Sequence, residues 1–276
     1  MSGRSSTRID LAVAFAIGGV VLGVGACKRS DPAPGESTAS ATIKVAAAAD
    51  LSLAFRDLGM EFEKKTGMKV VFTFGSTGNL AKQIAEGAKY DLFAAANQSF
   101  VDDVIKAGAC DGATKTPYAR GRIVVWTKDD AKIAPPTSLA DLADKRFVKI
   151  AIANPEHAPY GLAAQQALTT AGVWETVKPK LVYGENVQQT LQFGQTGNVE
   201  AAIVALSLAT VVEGGKWIAI EEAQHKPIDQ ALVVCKGGTS MQGAKDFAAF
   251  LGSADGRAVM RKFGFLLPGE SVVKAP

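Results

Sequence analysis

The segment that decides the fold runs from Ile43 to Ala95 and reads IKVAAAADLSLAFRDLGMEFEKKTGMKVVFTFGSTGNLAKQIAEGAKYDLFAA. Three short apolar runs, at 43–48, 69–74 and 91–95, alternate in it with two longer stretches. Apolar runs of this length predict buried strands, and their alternation with helices predicts parallel strands joined by right-handed crossovers. The segment therefore predicts an α/β sheet.

The first of the longer stretches is predicted to be a helix that begins at Asp50 and ends at Gly67, a residue type that commonly follows a helix. Its apolar residues recur at spacings of four, three and four, which places them on one helical face. They are Leu51, Phe55, Leu58 and Phe62.

The same alternation continues to the C-terminus and predicts a second α/β unit. Further strands are predicted at 122–127, 149–153, 180–183, 201–204, 217–220 and 231–235. Further helices are predicted at 80–87, 100–107, 161–171, 187–196, 244–251 and 255–263. The chain is expected to cross between the units near Arg122 and to return near Ala231. This predicts a bilobed α/β protein with a cleft, in which residues 43–121 and 236–276 form lobe 1 and residues 122–235 form lobe 2.

The composition excludes several classes of function. The chain has 276 residues, 47% of them hydrophobic and 21% charged, which is typical of a globular protein. The formal net charge of +3, without a basic run, argues against a nucleic-acid partner. Three Cys without a CxxC spacing and only 2 His argue against a zinc site.

Residues 1–26 are typical of an export signal, with Arg4 and Arg8 before the apolar stretch 11–24. That stretch is shorter than the roughly 20 residues that a membrane-spanning helix needs. The small residues before Cys27 resemble a bacterial lipobox, so Cys27 is predicted to carry a lipid anchor, although an ordinary cleaved signal is the alternative. Residues 27–42 are rich in Pro, Ser and charge and are predicted to be a flexible tether.

Cys110 and Cys235 are the remaining cysteines in an exported, oxidising environment. Sequence gives no distance between them, so a disulfide and two separately buried thiols are both open.

At four places a predicted strand gives way to small or polar residues and then to a helix. These junctions contain Ala49-Asp50, Ser76-Thr77-Gly78-Asn79, Ala158-Pro159-Tyr160-Gly161 and Glu185-Asn186-Val187. Free N–H groups at helix starts, with hydroxyls beside them, suit a small anion. Each polar residue alone could simply cap its helix. Four such junctions in one bilobed protein favour a shared ligand site.

Three segments resemble the periplasmic molybdate-binding proteins of molybdate ABC transporters: AAAADLSLAF (46–55), FTFGSTGNLAKQIAEGAKYDLFAAANQSF (72–100) and NPEHAPYGLAAQQAL (154–168). The resemblance extends from about Ile43 to Phe265. It implies a type II periplasmic-binding-protein fold with two crossover strands. It also implies a monomeric, non-enzymatic protein without a cofactor, located in the periplasm. Such a protein binds molybdate or tungstate and delivers it to an ABC transporter permease.

The resemblance also implies the site residues. In that family hydroxyls and backbone N–H groups hold the tetrahedral oxyanion, without positive side chains. The matching positions are Ala49, Asp50, Ser76, Thr77, Tyr160 and the backbone N–H of Val187. His157 lies near the predicted cleft and is expected to support the site or lie at the surface rather than bind the ligand.

Two positions depart from the family pattern. Asp50 stands where Ser or Asn is common, and an ionised carboxylate repels a dianion. Asp50 is expected to cap its own helix; alternatively it accepts a hydrogen bond from a protonated oxyanion or ligates the metal centre. Ala205 stands where many members have a ligand-contacting Tyr, and Tyr160 is expected to supply that hydroxyl instead.

Two other functions compete with this interpretation. A binding protein for phosphate, arsenate, sulfate or a small organic acid has the same requirements for fold and site. An exported hydrolase or transferase is less favoured, because GxSxG, HExxH and P-loop patterns are absent from the sequence.

Overall fold

The computed structural model describes residues 42–271. These residues belong to one compact unit that begins at Ala39. The predicted signal segment, residues 1–26, and the predicted lipidation site Cys27 lie outside the described residues, as does the tether apart from Thr42. No helix within residues 42–271 is both long enough and apolar enough to span a bilayer.

The described part of the chain alternates strands and helices. The strands are β1 (Thr42–Ala48), β2 (Lys69–Gly75), β3 (Leu92–Ala95), β4 (Thr116–Gly121), β5 (Ile123–Lys128), β6 (Ile150–Ala153), β7 (Leu181–Gly184), β8 (Ala201–Ala205), β9 (Gly215–Ala219) and β10 (Ile228–Val234). The helices are α1 (Ser52–Thr66), α2 (Thr77–Ala85), α3 (Gln98–Lys106), α4 (Pro159–Thr170), α5 (Trp174–Val177), α6 (Val187–Gln195), α7 (Leu206–Ala209), α8 (Met241–Gly252) and α9 (Ala254–Lys262). A 3₁₀ turn, Ala49–Leu51, joins β1 to α1.

The first sheet has the strand order β2-β1-β3-β10-β4. β1 is parallel to β2 and β3, as the alternation predicts, whereas β10 runs antiparallel to β3 and β4. Ala48 at the end of β1 pairs with Gly75 at the end of β2. The two junctions that follow these strands therefore start at the same edge of the sheet.

The second sheet repeats this plan with the strand order β7-β6-β8-β5-β9. β6 is parallel to β7 and β8, and β5 runs antiparallel to β8 and β9. Ala153 at the end of β6 pairs with Gly184 at the end of β7. The junctions into α4 and α6 are consequently neighbours as well. The sheet topology confirms the predicted bilobed α/β architecture, and each lobe has a mixed sheet rather than the parallel one that the alternation predicts.

The chain crosses between the sheets twice. Only Arg122 separates β4 in the first sheet from β5 in the second, and residues 220–227 lead back from β9 to β10. The chain re-enters the first sheet at Ile228, slightly before the predicted position near Ala231. The assignment of residues up to 235 to lobe 2 is wrong for β10, which lies in the first sheet because it pairs with β3 and β4.

Strand β4 was not predicted from the sequence. Its residues, TPYARG, contain no apolar run, and the strand lies at the edge of the first sheet. An edge position tolerates Pro117, because one side of an edge strand needs no ladder hydrogen bonds.

The C-terminal helices belong to the first lobe, as predicted, because α8 packs on β1 and β10, and α9 packs on α1 and α8. Phe247 of α8 makes edge-to-face ring contacts with Phe55 and Phe62 of α1, at centroid distances of 5.9 Å and 5.3 Å. All three rings are fully buried. Burial of aromatic rings in this geometry stabilises the association of α1 and α8.

Cys110 and Cys235 form a disulfide that joins positions 125 residues apart. The backbone pairs them as an antiparallel bridge, in which Lys236 N–H donates to Ala109 O at 2.9 Å. Of the two possibilities that the sequence leaves open, the structure has the disulfide.

Candidate functional site

The four predicted junctions line one small cavity between the two lobes. All six residues predicted for the site contribute to it. The lining residues are Ala48, Ala49, Asp50, Gly75, Ser76, Thr77, Ala96, Ala158, Pro159, Tyr160, Asn186 and Val187. They include no Lys, Arg or His, so any charge compensation for an anion must come from dipoles.

Helix N-termini supply such dipoles. α2 begins at Thr77, α4 at Pro159 and α6 at Val187, and each of these residues lines the cavity. The first N–H groups of a helix have no partner within the helix, and the N-terminus carries a partial positive charge. Pro159 has no N–H, so α4 contributes fewer donors than α2 and α6.

The hydroxyl residues at the start of α2 do not cap it through their side chains. Ser76 Oγ lies 2.8 Å from His157 Nδ1, in hydrogen-bond contact. Thr77 Oγ1 accepts from Ala96 N–H at 3.2 Å, which leaves the Thr77 hydroxyl proton for another acceptor. Both side chains belong to buried residues, which fixes their orientation at the cavity wall.

The prediction that Asp50 caps its own helix is wrong. The 3₁₀ turn and α1 both begin without a side-chain cap. Asp50 Oδ2 instead accepts from Tyr160 Oη at 2.8 Å and from Gln230 Nε2 at 2.7 Å. Gln230 Nε2 also donates to Tyr160 Oη at 3.1 Å, which closes a three-membered hydrogen-bond network.

Burial dominates the electrostatics of this network. Asp50 is 1% exposed, and no ion pair within residues 42–271 includes it. Burial raises the pKa of Asp50 to about 6, against the opposing effect of the hydrogen bonds from Gln230 and Tyr160. Burial, together with the Asp50 charge, also raises the pKa of Tyr118 and of Tyr160.

Tyr160 lines the cavity, but its hydroxyl donates its proton to Asp50 and is not free to donate to a ligand. Gly121, at the end of β4, makes room for this arrangement. A Cβ atom at that position would lie 2.0 Å from Tyr160 Oη. Any larger residue there would displace the tyrosine hydroxyl from Asp50.

The fold agrees with comparisons to known proteins. A profile of the bacterial extracellular solute-binding proteins matches residues 43–266. The chain belongs to this family. It is therefore a solute-binding protein rather than an enzyme, and it acts as an exported partner of a membrane permease.

Three relatives of this solute-binding protein illustrate the similarity. The molybdate-binding protein ModA of Rhodobacter capsulatus is 32% identical over 228 residues, which cover 83% of this chain and 89% of ModA. The candidate ABC transporter substrate-binding lipoprotein YvgL of Bacillus subtilis is 32% identical over 234 residues, with 83% and 88% covered. The structure of the Azotobacter vinelandii periplasmic molybdate-binding protein matches with a TM-score of 0.75 and 28% identity, covering 82% of this chain and 99% of that one.

Direct contacts between the lobes close the cavity of the solute-binding protein. Gly78 N–H donates to His157 O at 2.9 Å, and Asn79 Nδ2 donates to Glu185 Oε1 at 2.6 Å. A Cβ atom at Gly78 would lie 2.8 Å from His157 O, so this approach requires glycine. His157 does not line the cavity, but its ring contacts Ser76, which does.

Two residues of the site were missed. Gln230 is fully buried in β10, and Ser207 Oγ donates to Asp50 O at 2.8 Å. A polar residue next to the apolar run of β10 was a signal for Gln230, but the predicted strand began one residue later, at Ala231. Ser207 follows β8 within LSLA and carries no comparable signal.

Proposed function

We propose that this solute-binding protein captures molybdate or tungstate in the cavity between its lobes and delivers it to an ABC importer. The observation that carries the proposal is the lining: helix N-termini and hydroxyl groups converge on a buried space without any cationic side chain. Named relatives of similar length bind molybdate.

Dipolar donors are sufficient for such a ligand. A tetrahedral dianion that leaves water needs several hydrogen bonds from fixed directions, and the starts of α2 and α6 offer them. The residues proposed to contact it are Ala49, Asp50, Ser76, Thr77 and Val187, while Tyr160 acts through its hydrogen bond to Asp50. Because the donors are held by buried backbone, their separation selects the size of the anion.

We further propose that Cys27 carries a lipid that tethers the protein to a membrane. Similarity to a candidate lipoprotein of the same family supports this anchor. Labelling of expressing cells with a radioactive fatty acid is expected to mark the wild type but not the Cys27→Ser variant.

Calorimetric titration tests the ligand. A chain that begins at Lys28 retains the whole compact unit from Ala39 onward. We expect one-to-one, submicromolar binding of molybdate and tungstate, and none of sulfate, phosphate or arsenate. Binding of phosphate or arsenate alone would instead favour a site in which Asp50 accepts a proton from the ligand.

The Ser76→Ala variant tests the site. A hydrogen bond to a charged group contributes about 1.5–3 kcal/mol, so molybdate binding should weaken by about tenfold or more. Ser138→Ala is the control, since Ser138 is exposed and bonds only to Asp141. Equal affinity of both variants would remove Ser76 from the site.

A further inference from the structure

We propose that Asp50 binds the oxyanion as a neutral carboxylic acid, donating its Oδ1 proton to an anion oxygen, so that in alkaline solution each bound anion brings one proton into the protein. This inference rests on the proposed function, since it specifies how that site accommodates a dianion.

The hydrogen-bond geometry identifies the oxygen that carries the proton. Oδ2 accepts from both Tyr160 and Gln230, so its acceptor positions are in use. Oδ1 is buried and has no partner among residues 42–271, while Asp50 itself lines the cavity. A proton on Oδ1 gives this oxygen a donor function and leaves the bonds to Oδ2 intact.

The surroundings of Asp50 offer no cation that would keep it ionised beside a dianion. The groups that face it are Tyr160 from α4, Gln230 from β10, Tyr118 from β4 and Ser207 from α7, all uncharged. Two negative groups in one buried cavity repel strongly, because the effective dielectric constant is low there. Protonation removes this repulsion.

The free protein is already close to this protonated state. Burial raises the pKa of Asp50 to about 6, and a bound dianion raises it further by repulsion. Below pH 5 the acid is present before the anion arrives, so binding needs no proton from solvent. Well above pH 6 the proton must be taken from solvent, so affinity falls by about tenfold per pH unit.

Titration of the wild-type mature chain with sodium molybdate tests the proton directly. At pH 8, titrations in two buffers with different ionisation enthalpies, Tris and HEPES, give the number of protons taken up. We expect close to one proton per anion at pH 8 and about half a proton at pH 6, with the dissociation constant rising about tenfold from pH 7 to pH 8.

The Asp50→Asn variant separates a donor from an acceptor. An amide places an N–H donor where the carboxylic acid has its O–H and retains an oxygen for Tyr160 and Gln230. Molybdate should bind this variant at pH 8 about as tightly as it binds the wild type at pH 6, and without proton uptake. Ser76→Ala is the matched control: its affinity should fall while the uptake of one proton remains.

Three results would overturn the proposal. Tight binding to the wild type at pH 8 without proton uptake would show that Asp50 stays ionised. Proton uptake that persists in Asp50→Asn would place the proton elsewhere. Loss of binding in a folded Asp50→Asn would show that the carboxylate accepts a proton from the anion or contacts the metal. Absence of molybdate and tungstate binding to every variant would instead reject the proposed function itself.

Discussion

Asp50 and Asn186 each lie at a strand-to-helix junction, one in each lobe, and their side chains act in opposite ways. Each follows a parallel strand and precedes a helical turn, and each has a side chain that commonly caps helices. Asn186 Oδ1 accepts from Gln188 N–H and Gln189 N–H, both at 3.0 Å, and caps α6. Asp50 instead accepts from Tyr160 and Gln230, which are 110 and 180 residues away in sequence.

The difference shows that a residue type that commonly caps helices can bond to distant side chains instead of its own helix. Asn186 has its nearest donors in the first turn that follows it. Asp50 lies inside a tight 3₁₀ turn that begins without a side-chain cap, and two donors from β10 and the second lobe reach its carboxylate. Because Tyr160 and Gln230 donate to it, the Asp50 carboxylate does not cap a helix but forms a buried hydrogen-bonded contact between the lobes.

The largest expected effect is on the pH dependence of stability. The pKa of Asp50 is raised from 3.8 in the unfolded chain to about 6, so the folded state binds this proton more tightly. Stability from this group is therefore greatest below pH 4 and is lost as pH rises through 6. The difference in unfolding free energy between Asp50→Asn and the wild type should therefore shift by about 3 kcal/mol in favour of the variant as the pH is raised from 3.5 to 8.

Urea unfolding of both proteins across this pH range, without ligand, measures the gain. Asp229→Asn is the control, because Asp229 is partly exposed and paired with Arg120. A difference between Asp50→Asn and the wild type that is independent of pH would contradict the raised pKa.

A smaller effect is expected when one donor to Asp50 is removed. Tyr160→Phe leaves the buried carboxylate with Gln230 alone, and the loss of a hydrogen bond to a charged group costs about 1.5–3 kcal/mol at pH 8. The loss should be smaller at pH 5, where Asp50 is mostly neutral. Thermal or urea unfolding at both pH values measures it, with the exposed Tyr183→Phe as control. Equal losses at pH 5 and pH 8 would argue that only packing is affected.

The smallest effect is expected at Asn186. Asn186→Ala removes the cap of α6 and should lower the unfolding free energy by about 1 kcal/mol. Because Asn186 does not titrate, the loss should be the same at pH 5 and pH 8. Asn186→Ser should restore most of it, since serine also caps helices. If the loss of unfolding free energy in Asn186→Ala differed between pH 5 and pH 8, Asn186 and Asp50 would not differ in the way described above.

Much of the fold followed from the sequence, because strand and helix patterns are local. The three strands of the segment 43–95, the second α/β unit and the position of the C-terminal helices were predicted correctly. Strand β4 was missed because its polar sequence has no periodic signal, and β10 was assigned to the wrong lobe because pairing with β3 is not encoded locally.

The sequence by itself determined where polar residues interrupt the strand–helix rhythm, and those positions do meet at one cavity, since parallel strands bring their carboxyl ends to one edge. Only the tertiary structure decided what Asp50 does and that Cys110 bonds to Cys235. A residue's own sequence neighbours specify its backbone and its possible cap. Its burial, its pKa and its distant partners depend on elements that meet only when both lobes have formed.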